Sequence, residues 1–258
     1  MKGAFLPPPA LAMDVARLDP FEWSHWQGQA LVVGLGGIGR ALLRSLPQHC
    51  PGLEVWSAGR AEPEARHLQL DLTDDRSIAA FSRRVGELDC LRLVIHTSGL
   101  LHDGELQPEK RLSQVRRAGL ERSFAVNAFG PLLLAQALEP QIPRDLPSRF
   151  ASLSARVGSI GDNHLGGWYA YRGAKAAQNQ LLRTLALEWR RRRPLACVSL
   201  LHPGTTATDL SAPFRGGVAP EKLFSPDRAA QQLLAVMAGL RPEHTGDFLA
   251  WDGQRIPW

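Results

Sequence analysis

The sequence has little cysteine and no long apolar run. Its three cysteines, Cys50, Cys90 and Cys197, are an odd number, and none of them lies in a CxxC pair. This usage is typical of a reducing compartment and argues against a disulfide framework or a zinc site. No stretch approaches the roughly 18 consecutive apolar residues that a membrane-spanning helix requires, so neither a transmembrane helix nor a membrane partner is predicted.

A secretory signal is also lacking. The apolar N-terminal stretch is interrupted by Pro7–Pro9, which would break the helix of a signal peptide. We therefore expect a cytoplasmic protein. Residues 1–28 are first proline-rich and then aromatic, with Phe21, Trp23 and Trp26. We expect them to form an N-terminal extension that packs on the main domain or is partly disordered.

Clusters of the kind that bind metals or nucleic acids are absent as well. The eight histidines form no HxH or HxxxH spacing, so no metal site is predicted. The formal net charge is +5 and the sequence pI is about 9.6, but the only dense basic run is Arg190–Arg193. Because cations suit the negative pole of a helix dipole, this run is interpreted as a solvated helix end, and no nucleic-acid partner is expected.

What the sequence does contain is a regular alternation of short apolar runs and helical patterns. Strands are predicted at 30–33, 53–56, 67–70, 91–95, 150–153, 195–201 and 246–250. Helices are predicted at 40–46, after the third strand through Phe81, around Phe124 to Leu133, at 171–190 and at 226–240. Such alternation implies βαβ units and a parallel sheet with helices on both faces. The prediction is one α/β domain over 29–258, a doubly wound Rossmann-type sheet of about seven strands.

A glycine-rich turn follows the first predicted strand and opens a helix. Gly34, Gly36 and Gly39 fit the GxGxxG spacing. The first glycine permits a tight turn, the second lets a pyrophosphate approach the backbone, and the third allows close helix–strand packing. A packing-driven tight turn is the alternative interpretation. The predicted dinucleotide contacts in this segment are Gly34, Gly36, Gly37, Ile38 and Gly39.

The end of the second strand bears on the choice between NAD and NADP. A carboxylate about 20 residues beyond the turn would bind the ribose hydroxyls of NAD, but that place is Gly59, between Ala58 and Arg60. An arginine can pair with a 2′-phosphate, whereas a carboxylate would repel it. Arg60 therefore favours NADP(H) over NAD(H), with a plain surface arginine as the alternative and Arg40 as a second candidate phosphate contact.

The segment from Tyr171 to Lys175 has the pattern YxxxK inside a helical stretch. Residues four apart share one helix face, so the phenol and the ammonium group are expected to be neighbours. A nearby cation favours the phenolate and lowers the pKa of a tyrosine from about 10. The pair is therefore a candidate general acid or base, although a helical surface pair is the alternative.

Together with the glycine turn, this pattern resembles the short-chain dehydrogenase/reductase family, from about residue 29 to the C-terminus. Further segments match in order: Asp71-Leu72 after the third strand, Asn127 in a helix, and the PGxxxT-like loop from Pro203 to Thr208. More narrowly, the segments around Ser154 and Trp168 and the ending from Trp251 to Gln254 resemble the C-factor-like and Sniffer-like carbonyl reductases.

The resemblance implies hydride transfer between a nicotinamide and the carbonyl group of a small-molecule substrate, expected to be an apolar aldehyde or ketone. Tyr171 would donate the proton, Lys175 would hold the ribose and lower the pKa of the tyrosine, and Asn127 would support a water chain to Lys175. A dimer or tetramer is expected. Further implied cofactor contacts are Asp71, Leu72, Ser98, Gly99, Pro203, Gly204, Thr206 and Thr208.

The sequence departs from the family pattern in three places. The glycine turn is one residue shorter, with Val33 in place of the usual threonine, and the NNAG segment is replaced by HTSG at 96–99. The third departure is the catalytic serine, whose family position is occupied by Ala155. Ser154 is the adjacent hydroxyl and the preferred candidate, with Ser159 as the alternative.

Two other functions stay open at this point. The altered HTSG segment and the doubtful serine are compatible with a dinucleotide-binding, C-factor-like signalling or regulatory protein with little turnover. The presence of both Tyr171 and Lys175 argues against it, because binding alone does not need them. An NAD-linked alcohol dehydrogenase is disfavoured by the lack of an acid near Gly59. Leu210, Pro213 and Phe214 are candidates for an apolar lid over the substrate.

Overall fold

The computed structural model describes residue 19 and residues 21–62, 65–104 and 106–258. Over these residues the strands are β1 (Gly28–Val33), β2 (Leu53–Gly59), β3 (His67–Gln69), β4 (Leu91–His96), β5 (Ser148–Leu153), β6 (Ala196–His202), β7 (Thr205–Thr206), β8 (Leu223–Phe224) and β9 (Asp247–Ala250). Seven of them form one parallel sheet in the order β3-β2-β1-β4-β5-β6-β9, and β7 pairs with β8 separately.

Helices cover both faces of the sheet. They are α1 (Gly37–His49), α2 (Asp75–Val85), α3 (Arg117–Phe124), α4 (Gly130–Leu138), α5 (Tyr169–Arg192) and α6 (Pro226–Ala238). Side chains alternate along each strand, so one sheet face packs with α1 and α6 into one buried cluster and the other packs with α2, α4 and α5 into a second. The predicted fold class, a doubly wound parallel sheet of about seven strands, is confirmed.

The strand order reverses between β1 and β4, and this reversal positions the site. Strands β2 and β3 extend to one side of β1, whereas β4, β5, β6 and β9 extend to the other. At this edge Val33 lies opposite His96, and His96 lies opposite Ser152. Doubly wound sheets bind ligands in the crevice outside the carboxyl ends of the strands, at such a switch point.

The described part of the N-terminal extension packs on the domain. Trp23 and Trp26 are buried in the cluster that contains α1 and α6. The guanidinium of buried Arg149 lies 5.0 Å from the ring centre of Trp23 and 4.7 Å from that of Trp26. Arg149 Nη2 also donates a hydrogen bond of 2.8 Å to the carbonyl of Phe21. Predictions for residues 1–18 lie outside the described residues.

The structure differs from the predicted elements at two places. The long helix predicted around Phe124 to Leu133 consists of α3 and α4 joined by one π-helical turn, Ala125–Phe129, which carries Asn127. π turns insert one residue into the helical repeat, and hydrophobic periodicity does not signal them. The second difference is a 3-10 segment, Asp209–Gly217, that lies between β7 and β8.

Candidate active site

The glycine turn between β1 and α1 is tightly held by the end of β4. Gly34 has φ +96°, in the region that favours glycine, and an added Cβ there would lie 2.6 Å from Ser98 Oγ. Thr97 Oγ1 donates to the carbonyl oxygen of Gly34 at 2.7 Å. At Gly39 an added Cβ would lie 1.9 Å from the same carbonyl oxygen. The first and third glycines are therefore required by packing.

The middle of the turn is open instead. Gly36 precedes the first residue of α1, no side chain caps the helix there, and an added Cβ would find no atom within 4 Å. The first N–H groups of a helix lack intrahelical partners and attract anions. Gly37 lies against the Thr208 side chain, and Ile38 packs on the core. The open cradle at Gly36 therefore fits a dinucleotide pyrophosphate.

The basic residues near the cradle differ in their contacts. Arg40 Nε donates to the carbonyl oxygen of Leu35 at 2.8 Å, within the turn itself. Arg60 is exposed just after β2 and helps to line a cavity of about 520 Å³ together with Asp71. Hydrogen bonds from Thr73 hold the pKa of the Asp71 carboxyl below its usual range, with the charge of Arg60 as a smaller contribution.

The remaining predicted contacts of the cofactor line the same edge. Leu72 is buried against Gly130, so its side chain belongs to the core. Gly204 has φ +75° and packs closely on Phe224 and Trp251. The predicted loop residues Pro203, Gly204, Thr206 and Thr208 lie at the end of β6 and in and after β7.

Tyr171 and Lys175 lie one turn apart in α5, both buried. Lys175 Nζ is 5.7 Å from the centre of the Tyr171 ring. Burial lowers the pKa of Lys175 to about 7 and raises the pKa of Tyr171 above its ordinary value. In the protein alone, desolvation therefore outweighs the expected lowering of the tyrosine pKa by the neighbouring lysine, and the phenol is protonated at neutral pH.

Lys175 and Asn127 use different partners. Lys175 Nζ donates to the carbonyl oxygen of Leu153 at 3.0 Å and to Gln178 Oε1 at 2.9 Å. The amide of Asn127 accepts from Leu100 N at 2.9 Å and donates to Leu100 O at 2.7 Å. The Asn127 side chain thus fixes the loop after β4 and has no direct hydrogen bond to Lys175.

The two candidate serines are engaged elsewhere. Ser154 Oγ donates to Asn179 Oδ1 at 2.6 Å and is buried. Ser159 Oγ accepts from Asp162 N at 3.1 Å. A hydroxyl has one proton, so in this arrangement Ser154 offers only its lone pairs to other groups. Ala155, at the family's serine position, is partly exposed and carries no hydroxyl.

A group of aromatic side chains lies on one side of Tyr171. The Trp168 ring lies 6.3 Å from the Tyr171 ring and 5.0 Å from the Phe214 ring, centre to centre. Trp168 has φ +53°, and its backbone N–H donates to the carbonyl oxygen of Glu109 at 2.5 Å. His102 lies edge-on to Phe214 at 5.8 Å. These rings form an apolar wall that reaches Tyr171 through Trp168.

A model of the family described as "short chain dehydrogenase" matches residues 29–218, which include the glycine turn, Asn127, Tyr171 and Lys175. The chain belongs to the short chain dehydrogenase family. The protein is therefore an NAD(P)-dependent oxidoreductase, as the sequence predicts.

Two relatives from this family extend the comparison. "C-signal" of Myxococcus xanthus is 36% identical over 148 residues, which are 57% of this chain and 83% of that protein. The "1-hydroxy-2-glutathionyl-2-methyl-3-butene dehydrogenase" of Rhodococcus sp. (strain AD45) is 31% identical over 190 residues, which are 73% of this chain and 78% of that protein.

Solved structures share the fold. The NADPH-bound carbonyl reductase from chicken fatty liver superposes with a TM-score of 0.78 at 24% identity and covers 90% of this chain and 100% of its own. The carbonyl reductase Sniffer of D. melanogaster has a TM-score of 0.76 at 22% identity, with the same coverage. The expected resemblance to C-factor-like and Sniffer-like members of the short chain dehydrogenase family is confirmed.

Sequence reasoning did not single out several residues of this family member's site. Gln178 accepts a hydrogen bond from Lys175, and Thr97 donates one to the glycine turn. The only sequence signal for either residue is a polar side chain within an apolar pattern.

In the described ranges no helix has the length and apolar character to cross a membrane. Over the same ranges no group of three or more His, Cys, Asp or Glu side chains is placed to hold a metal ion.

Proposed function

We propose that this protein is an NADPH-dependent carbonyl reductase in which Tyr171 donates the proton. The observation that carries the proposal is the placement of the Tyr171–Lys175 pair in α5, at the same sheet edge as the open cradle over Gly36. When bound, NADPH supplies the hydride that reduces the carbonyl carbon. The turn at 34–39 would hold the pyrophosphate, and the loop at 203–208 would hold the nicotinamide half.

The protonation state of Tyr171 supports the direction of reduction. Because burial raises the pKa of the phenol, the proton is present at neutral pH and available to a carbonyl oxygen. Lys175, with a pKa lowered to about 7, has donors for the ribose hydroxyls and supplies positive charge to the phenolate that the reaction leaves. Ser154 remains the proposed supporting hydroxyl, and Asn127 supports the loop after β4.

The preference for NADPH rests on Arg60. Its guanidinium is exposed at the end of β2, next to Gly59, where a carboxylate would select NAD. Asp71 is close enough for the charge of Arg60 to lower its pKa, so both side chains border the same cavity. The structural neighbours from chicken fatty liver and Burkholderia multivorans, which contain NADPH and NADP, are in keeping with this preference.

The aromatic wall supports an apolar aldehyde or ketone as the substrate. Trp168 lies against Tyr171 and Phe214 packs on Trp168. An added Cβ at Gly99 would be 3.6 Å from Leu210 Cδ1. Apolar surfaces of this kind bind apolar groups by excluding water. The proposed lid, Leu210 to Phe214, is therefore the segment expected to select the substrate.

A homo-oligomer and a cytoplasmic location, both expected from the sequence, are part of this proposal. Phe129, Leu187 and Trp258 are large hydrophobic side chains that remain exposed in the single chain. Exposed apolar residues of this size support a homo-oligomer, a dimer or a tetramer. A cytoplasmic location is proposed, together with a small-molecule substrate and no nucleic-acid partner.

The second candidate is a dinucleotide-binding signalling protein with little turnover, favoured by Ala155 at the serine position and by the likeness to C-signal. Monitoring NADPH oxidation against a panel of aromatic and aliphatic aldehydes and ketones separates the two. The reductase proposal expects turnover of at least one apolar carbonyl compound. Tight NADPH binding without turnover across the panel would favour the signalling function.

A further inference from the structure

A chain of buried hydrogen bonds leads from Lys175 to the end of β4. Lys175 Nζ donates to Gln178 Oε1 at 2.9 Å. Gln178 Nε2 donates to Ser152 Oγ at 2.8 Å, and Ser152 Oγ is 2.8 Å from His96 Nδ1. Gln178, Ser152 and His96 are each fully buried. The chain therefore crosses from α5 through β5 to β4 without contact with solvent.

The hydrogen-bond network assigns a direction to each bond in this chain. The ammonium of Lys175 can only donate, so the amide oxygen of Gln178 must face it. The amide nitrogen then donates to Ser152 and also, at 3.2 Å, to the carbonyl oxygen of Leu153. With Nδ1 of the neutral His96 ring as the acceptor, Ser152 donates its own proton to it, and each bond between Lys175 and His96 then pairs a donor with an acceptor. Both ends of Gln178 are used, and turning the amide over would place two donors together.

The far end of the chain is a neutral histidine. Burial, assisted by the charge of Lys175, lowers the pKa of His96 to about 3. Nδ1 accepts from Ser152, so the ring proton lies on Nε2, which is buried and has no hydrogen-bond partner among the described residues. A neutral acceptor holds Ser152 in place without adding a second charge beside the ammonium.

The direct side-chain contact to Lys175 comes from a different residue than Asn127, whose expected support runs through a water chain. The Asn127 amide is hydrogen-bonded to Leu100 and Ser123. The side-chain contact that orients the Lys175 ammonium comes from Gln178, one turn further along α5. Burying an amide at this position is costly unless both its ends are hydrogen-bonded, and here they are.

We propose that Gln178 is a positioning residue for Lys175, held in register by Ser152 and His96, and that it thereby sets the affinity for the ribose of NADP(H). The inference rests on the proposed function, in which Lys175 contacts the cofactor. Gln178 itself acts only through the lysine. In this protein the route that holds the ammonium runs through the sheet to His96.

The test compares Gln178→Met with Gln180→Met. Gln180 lies on the same helix, is exposed, and its side-chain amide donates to Thr184 Oγ1 one turn away. NADPH affinity is measured by fluorescence titration, kcat and KM on a reducible carbonyl, and folding by thermal unfolding. A hydrogen bond to a charged group changes an equilibrium by about 10- to 100-fold. We therefore expect Gln178→Met to weaken NADPH binding about tenfold and Gln180→Met to change NADPH affinity less than about twofold.

Ser152→Ala provides a second, independent variant. It keeps the contact between Gln178 and Lys175 but removes the group that aligns the amide, so a smaller loss of NADPH affinity is expected. If Ser152 acts through Gln178, the double variant binds NADPH no more weakly than Gln178→Met alone. Additive losses, or a Gln178→Met protein that binds NADPH like the wild type, would overturn the proposal.

Failure of the proposed function has a different signature. A Tyr171→Phe protein with native turnover would overturn the assignment of the proton donor and leave the NADPH titrations of Gln178→Met and Ser152→Ala interpretable. Conversely, suppose that Tyr171→Phe loses turnover as expected while Gln178→Met binds NADPH like the wild type. That pair of results would refute only the positioning role of Gln178.

Discussion

Replacing Gly36 by alanine separates cofactor binding from folding at the glycine turn. The backbone at Gly36 has φ −72° and ψ −174°, which alanine adopts without strain, and the added methyl group meets no atom within 4 Å. Alanine restricts the unfolded chain, a gain of about 0.4–1 kcal/mol, but it is a poorer residue than glycine before a helix by a similar amount. The free energy of unfolding should therefore change by less than about 1 kcal/mol, or about 2–4 °C in Tm.

The effect of Gly36→Ala on NADPH binding should be much larger than its effect on stability. The same methyl group would occupy the open space in front of the first N–H groups of α1, where the pyrophosphate is proposed to bind. Losing one charge-assisted hydrogen bond costs about 1.5–3 kcal/mol, so the dissociation constant should rise at least about tenfold. Fluorescence titration with NADPH measures this, with thermal unfolding of the same samples.

Gly39→Ala is the matched control. Its added methyl group would lie 1.9 Å from the carbonyl oxygen of Gly34, a backbone atom that cannot move without opening the turn. Here we expect a large loss of stability together with lost binding. If Gly36→Ala binds NADPH with native affinity while remaining folded, the pyrophosphate does not lie over Gly36 and the assignment of the turn is refuted.

Four further expectations follow from the site. Tyr171→Phe removes the transferable proton and should lower kcat by about 10²–10⁴-fold with little change in NADPH affinity; native turnover would exclude Tyr171 as the donor. Arg60→Ala should weaken NADPH about tenfold and leave NADH unchanged in parallel titrations, whereas an equal loss for both would disprove 2′-phosphate recognition. Ser154→Ala should lower kcat more than Ser159→Ala, because Ser154 contacts α5 one turn from Lys175 and Ser159 only caps a loop; the reverse order would transfer the role. Because burial lowers the pKa of Lys175 to about 7, the unfolded chain binds one more proton than the folded protein between pH 7 and 10. Wild-type stability should then rise with pH relative to Lys175→Met, by at most about 1.4 kcal/mol per pH unit in urea denaturation, and a parallel pH dependence of the two proteins would contradict the lowered pKa of Lys175.

The fold was predictable because its determinants are local and periodic. Apolar runs bounded by turn residues give the strands, and the GxGxxG spacing places the cradle between β1 and α1. The i, i+4 spacing of Tyr171 and Lys175 likewise needs only helical geometry. Each of these features is contained in one short segment of the chain.

The electrostatics of the site were not predictable in the same way. The pKa of Tyr171 depends on how deeply the ring is buried, and sequence spacing alone suggested the opposite direction of shift. The partner of Ser154 is Asn179, which lies 25 residues away along the chain. The contact between Gln178 and Ser152 joins a helix to a strand. Such contacts arise from tertiary packing, and no pattern in a single segment encodes them.

Two tryptophans before β1 pack against the rest of the domain. The family match starts at residue 29, but Trp23 and Trp26 cover the buried guanidinium of Arg149, in the strand that leads to Ser152. A protein trimmed to residue 29 would lose both aromatic faces and the Phe21 carbonyl that contact this guanidinium, and it would expose the apolar residues that pack on the tryptophans. Residues just before the family match thus cover the start of β5, whose other end leads to the proposed active site.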